Sequence, residues 1–178
     1  MKKLFLIMIA AVLLVLPAVG AAETGSEEEQ EKLANIGDVT FSFTNEQEYF
    51  DVFYMYPDEF ELEIKEDGNR VRHILRYYVE GYEKPAVGLV ISRTNEYTPE
   101  ERLADIAFID EITTEEINGV SWVIGTDTDP STSSVIIYVR AAGEYTYTFS
   151  FSSEYPAEFD YADFARVFAE KVTIPDAD

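Results

Sequence analysis

Tyr145-Thr146-Tyr147-Thr148-Phe149-Ser150-Phe151-Ser152 is the stretch on which the fold turns. Side chains along a strand alternate between the two faces of a sheet, so Tyr145, Tyr147, Phe149 and Phe151 share one face and Thr146, Thr148, Ser150 and Ser152 the other. An aromatic face this dense needs a covering layer. The sequence supplies one: Tyr161, Phe164, Ala165, Phe168 and Val172 recur at helical spacing from Asp160 onward, which predicts a closing helix ended by Ile174-Pro175. On the other side of the aromatic strand, Gly143-Glu144 puts glycine at the first position of a type II′ turn. It predicts a hairpin back to Val135-Ile136-Ile137-Tyr138-Val139.

Working outward, the same period of two runs from Asp38. Phe41 and Phe43 share a face, and after a turn-like Asn45-Glu46-Gln47-Glu48 the residues Val52, Tyr54 and Tyr56 align and stop at Pro57-Asp58. Leu62 and Ile64 lead to Asp67-Gly68, a hairpin dipeptide, beyond which residues 71–79 return as a strand. A loop over 80–85 precedes Val87, Leu89 and Ile91. Thr98-Pro99-Glu100-Glu101 is a helix start: a Thr cap, Pro where no amide partner is needed, and Glu completing a capping box, with Leu103, Ile106 and Ala107 as the expected buried stripe. Residues 108–117 return to extended structure, Asn118-Gly119 turns them into Val120-Ser121-Trp122-Val123-Ile124, and residues 127–133 form a polar loop. The lone Trp122, flanked by Val120 and Ile124, is expected in the core. The pattern predicts an α+β fold, an antiparallel sheet flanked by helices, as a single domain over residues 38–178.

The first residues read differently. Lys2 and Lys3, the unbroken apolar run from Leu4 to Leu16, and Pro17 followed by small residues to Ala22 have the order of a secretory signal peptide over residues 1–22. The apolar run is shorter than the roughly 20 residues that cross a bilayer core, which favours cleavage, at Ala22, over anchoring. The chain has no cysteine, so no lipid-modified cysteine follows the cut and no disulfide framework supports the fold. Residues 23–37 are polar and strongly acidic, and read as a flexible linker. The expected location is secreted or extracytoplasmic.

Formal charge is -22, and loss of residues 1–22, which hold two lysines and no acids, moves it to -24. Such a surface repels phosphate backbones and anionic membranes, so nucleic acid is a poor partner. Cations, basic proteins or a cationic cell-wall component remain as partners, and the simpler reading is that the charge keeps a secreted domain soluble and monomeric.

The order of elements, together with three stretches, resembles the PsbP/Mog1-like superfamily, and more narrowly its small bacterial exported proteins of unknown function. Phe53-Tyr54-Met55-Tyr56-Pro57-Asp58-Glu59-Phe60 matches a strand stopped at an aromatic-Pro turn, and Glu116-Ile117-Asn118-Gly119-Val120 matches a central hairpin. Tyr145 to Ser152 with Phe164, Phe168 and Val172-Thr173-Ile174-Pro175 match the last strand and closing helix. The likeness spans about residues 38 to 175. It implies an α/β/α sandwich and a binding or assembly role, not catalysis.

Chemistry-bearing patterns are sparse. His73 is the single histidine and lies within a strand, with no sequence signature of a nucleophile or second base, so its expected role is structural. One His and no Cys leave a zinc site without its usual ligands. Asp127-Thr128-Asp129 offers oxygen ligands for calcium, yet Thr132 stands where an EF-hand has Gly and Tyr138 where it has Glu. GxGxxG, P-loop and GxSxG motifs are absent. Catalytic, cofactor-binding and metal residues are therefore expected to be none. The leading expectation is a secreted, non-enzymatic, monomeric module that binds a protein or cell-envelope component. A weak calcium-binding module using acidic loops and a small carboxylate-dependent hydrolase are the alternatives.

Overall fold

A computed structural model describes residues 33–68, 70–127 and 134–174. These belong to one unit formed by residues 31–178. In chain order the elements are β1 (Ala34–Ile36), β2 (Val39–Phe41), β3 (Asn45–Tyr49), β4 (Val52–Tyr56), β5 (Phe60–Asp67), β6 (Arg70–Tyr77), β7 (Val87–Thr94), α1 (Pro99–Ala104), β8 (Glu111–Ile117), β9 (Val120–Thr126), β10 (Ser134–Ala142), β11 (Tyr145–Ser153) and α2 (Ala162–Glu170). Seven strands form one antiparallel sheet in the order β5-β6-β7-β11-β10-β9-β8. Two small ribbons, β1-β2 and β3-β4, accompany it.

Alternation along the central strands divides the core in two. Tyr147, Phe149 and Phe151 of β11, Tyr138 of β10 and Trp122 of β9 join Phe164 and Phe168 of α2 in the larger cluster. Phe60 stacks on Phe164 with ring centroids 4.9 Å apart, and Phe151 meets Phe168 edge-on at 5.5 Å. Each such pair adds about 0.5–1.5 kcal/mol to what area burial gives. The intervening residues Val123, Ile137 and Val139 point the other way and pack with Leu103 of α1. The two helices thus cover opposite faces, and the expected antiparallel sheet between helices is what folds. Among the described residues no helix is long and apolar enough to cross a membrane.

The local turn chemistry acts as expected at three places. Asn118 and Gly119 both take positive φ, 53° and 76°, as a type I′ turn demands, and Ile117 pairs with Val120 across it. Gly143 has φ 57° and Ala142 pairs with Tyr145. Thr98 accepts from the Glu101 amide while the Glu101 carboxylate accepts from the Thr98 amide, completing the capping box of α1.

Four boundaries are corrected. The linker expected to reach residue 37 overlaps the fold: Ala34 and Ile36 are fully buried, β1 pairs with β2, and the Asn35 amide donates to Asp163 of α2 at 2.8 Å. Asn45 to Glu48, expected as a turn, is strand β3, because its backbone pairs with β4 while its polar side chains stay at the surface. The β5-β6 hairpin turns one residue later than Asp67-Gly68, since Asp67 itself pairs with Arg70. Finally, α1 stops at Ala104, leaving Ile106 half-buried and Ala107 exposed outside the helix. The expected signal peptide over residues 1–22, the acidic run up to residue 32, Thr128 to Ser133 and Pro175 lie outside the described residues.

Candidate functional site

Tyr49 pairs with Val52, so only Phe50 and Asp51 remain to turn the chain between β3 and β4. Phe50 does this at φ 57°, in the left-handed region that favours glycine. For a residue with a Cβ that conformation costs on the order of 1–2 kcal/mol. In return the Phe50 ring stands at the surface, 40% exposed, and takes the Arg93 guanidinium over its face, 3.2 Å from Cζ to centroid. The same guanidinium lies 4.1 Å from the ring centre of Tyr145.

The supports of this rim come from three elements. Arg93 pairs with Tyr147 in the β7-β11 register, which places both on the aromatic face beside the β3-β4 tip. The buried Tyr147 hydroxyl donates to Asp51 Oδ1, and Arg93 Nη1 stands 3.9 Å from the same carboxylate oxygen. Burial foremost, with the Asp51 carboxylate adding to it, pushes the Tyr147 hydroxyl up to about 12. Tyr49, buried and pushed up to about 12 by desolvation, donates to the Val71 carbonyl at 2.7 Å and packs edge-on against Phe50 with centroids 4.8 Å apart.

Behind the tip, His73 is 4% exposed, shares a 2.7 Å hydrogen bond through Nδ1 with the Tyr54 hydroxyl, and meets the Tyr49 ring edge-on. Burial pushes the imidazole pKa down and the Tyr54 pKa up. Tyr49, Tyr54 and His73 are buried below, and Phe50 stands exposed above them. A shallow groove of about 310 Å³ adjoins the rim, lined by residues including Tyr97, Glu96, Glu144 and Tyr145.

Of the residues weighed from sequence, His73 enters this region as a buried strut. Trp122 lies in the core against Phe149, centroids 5.5 Å apart. The Asp127 amide donates to the Val135 carbonyl, and Thr128 and Asp129 lie outside the described residues. Among the described residues no three His, Cys, Asp or Glu side chains gather into a metal-holding group. Phe50, Asp51 and Arg93 were not legible as a site. Their only sequence signal is a two-residue gap between pairing strands filled by Phe-Asp in place of a glycine. No protein-family model matches the chain, and no curated protein matches it either.

Proposed function

We propose that this chain is an exported, non-catalytic and monomeric binding or assembly module of PsbP/Mog1-like type, and that Phe50, Arg93 and Tyr145 form its contact surface toward a protein or cell-envelope partner. The observation that carries the reading is Phe50 itself, an exposed aromatic at φ 57° with an arginine on its face. Aromatic residues and arginine dominate the energetics of protein contacts, because they bring large area at little entropic cost. Tyr147, Asp51 and Tyr49 hold the group in place before any partner arrives, which lowers the cost of association. The order of strands and the closing helix agree with the PsbP/Mog1-like resemblance, and the leader-like residues 1–22 direct the module outside the cytoplasm. A net charge of -22 steers basic surfaces toward it.

The test compares immobilised wild-type chain with Phe50→Asp and Arg93→Glu against extracytoplasmic proteins and wall material of the source cell. A species held by wild type should be lost from both variants, with affinity reduced roughly thirtyfold, the size of a contact hot spot. Unchanged retention by both variants would remove the rim from the interface.

A further inference from the structure

His73 is the single histidine of the chain and sits where the two layers around the rim meet. Its own strand is clamped on both sides: His73 pairs with Ile64 of β5 and with Ile91 of β7. The β3-β4 ribbon above it is attached more lightly. Among the described residues its backbone joins residues outside the ribbon at the Phe53-Thr173 bridge, with bonds of 2.9 and 2.8 Å, and at its open end, where the Thr44 amide donates to the Tyr56 carbonyl at 3.3 Å. Side chains supply the remaining hold: Val52 and Tyr54 fully buried, Tyr49 on the Val71 carbonyl, Tyr54 on His73 Nδ1, and Tyr147 on Asp51.

The groups facing the imidazole are Tyr49 from β3, Tyr54 from β4, Ile64 from β5 and Ile91 from β7. None is a carboxylate, and Arg93, close to Tyr49, carries the same sign of charge that a protonated ring would. An imidazolium in this position has two N–H donors, a desolvated charge and no counter-ion. Relief requires water, and the layer that can yield is the ribbon, because β6 is locked within the sheet while the ribbon holds one backbone bridge.

We propose that His73 is an acid-operated release for the β3-β4 ribbon: protonation of its ring lifts the ribbon from the sheet and dismantles the Phe50–Arg93–Tyr145 rim, freeing whatever is bound there. The release of a partner rests on the rim being the contact surface, whereas the movement of the ribbon does not. The direction follows from burial. The closed state favours the neutral ring, so closure is complete above the ordinary histidine value of 6.5 and is progressively lost as pH falls below it.

Amide hydrogen exchange on the full chain, resolved to segments and corrected for intrinsic rate, reads the movement directly. From about pH 7.5 to about pH 5, opening of residues 45–56 should rise at least ~tenfold while β10-β11 stays unchanged, and His73→Gln should abolish the rise. A flat wild-type ribbon, or an equal rise in His73→Gln, overturns the proposal. Should His73→Gln not fold, the wild type still decides by NMR: the His73 ring protons and the Phe50 amide must titrate with one midpoint, and separate midpoints overturn it. The two readings stay separable. An acid-opened ribbon with partner retention untouched by Phe50→Asp at neutral pH keeps the release and ends the rim, whereas a flat ribbon with retention lost in Phe50→Asp does the reverse.

Discussion

Beneath α2 the sheet presents Trp122, Tyr138, Phe149 and Phe151, whereas beneath α1 it presents Val123, Ile137 and Val139, with Gly125 where a larger side chain would stand. The aromatic side needs a nine-residue helix and two ribbons to cover it, and the small side is served by a helix of six residues. A Cβ on Gly125 would come within 2.8 Å of Leu103 Cδ2 and 3.1 Å of Ile109 Cγ2. Close approach is what makes so short a helix sufficient. Stability therefore concentrates under α2, and the rim sits on the margin of the strong side, where a strained residue can be carried without endangering the fold.

That asymmetry can be broken in several ways. The largest effect is alkaline. Tyr49, Tyr138, Tyr147 and Tyr161 are pushed up to about 12, mainly by burial, and Tyr54 is raised further; all five belong to the aromatic cluster. Because burial disfavours each tyrosinate, the stability these rings share is fully present below the unfolded value of 10 and is lost as pH rises through the folded one. Tyrosinate absorbance should thus appear in one cooperative step together with loss of the aromatic circular dichroism, and gradual ionisation of a folded chain would show these rings to be open to water.

Truncation comes next. Phe164→Ala should cost about 3–5 kcal/mol in denaturant unfolding, and Leu103→Ala about 2–3 kcal/mol, although both residues are buried. Equal losses would erase the difference between the faces. Gly125→Ala should cost about 1–3 kcal/mol by overpacking. In Leu103→Ala the same change should cost less than it does alone, because the atom it strikes has gone. The smallest effect belongs to Thr98→Ala, about 1 kcal/mol from loss of the cap, seen as faster exchange in α1 with the aromatic side unaffected.

Local chemistry made much of this fold legible. Asn118-Gly119, Gly143, the Thr98 capping box and the alternating aromatics of β11 each specify their geometry within a few residues, and each is where the sequence puts it. What escaped depends on partners distant in sequence. β1 is three residues long, made a strand by β2 and by Asp163 far along the chain, so its acidic approach disguised it. β3 buries only Tyr49, which leaves too little alternation to announce a strand. The rim needs the register that brings Arg93 beside Tyr147 and the backbone that turns at Phe50, and neither is a property of any short segment. His73 was readable in part: it falls in phase with Val71 and Leu75, which places it on the inward face, while its Tyr54 partner was not foreseeable.

If Phe50 serves contact and not the fold, Phe50→Gly separates the two roles. Glycine relieves about 1–2 kcal/mol of left-handed strain and forfeits the arginine contact and the packing on Tyr49, about 1–2 kcal/mol together. Unfolding free energy should therefore stay within about 1 kcal/mol of wild type while partner retention collapses. A variant destabilised by more than about 2 kcal/mol that still holds its partner would contradict the account, assigning Phe50 to the core and the contact surface elsewhere.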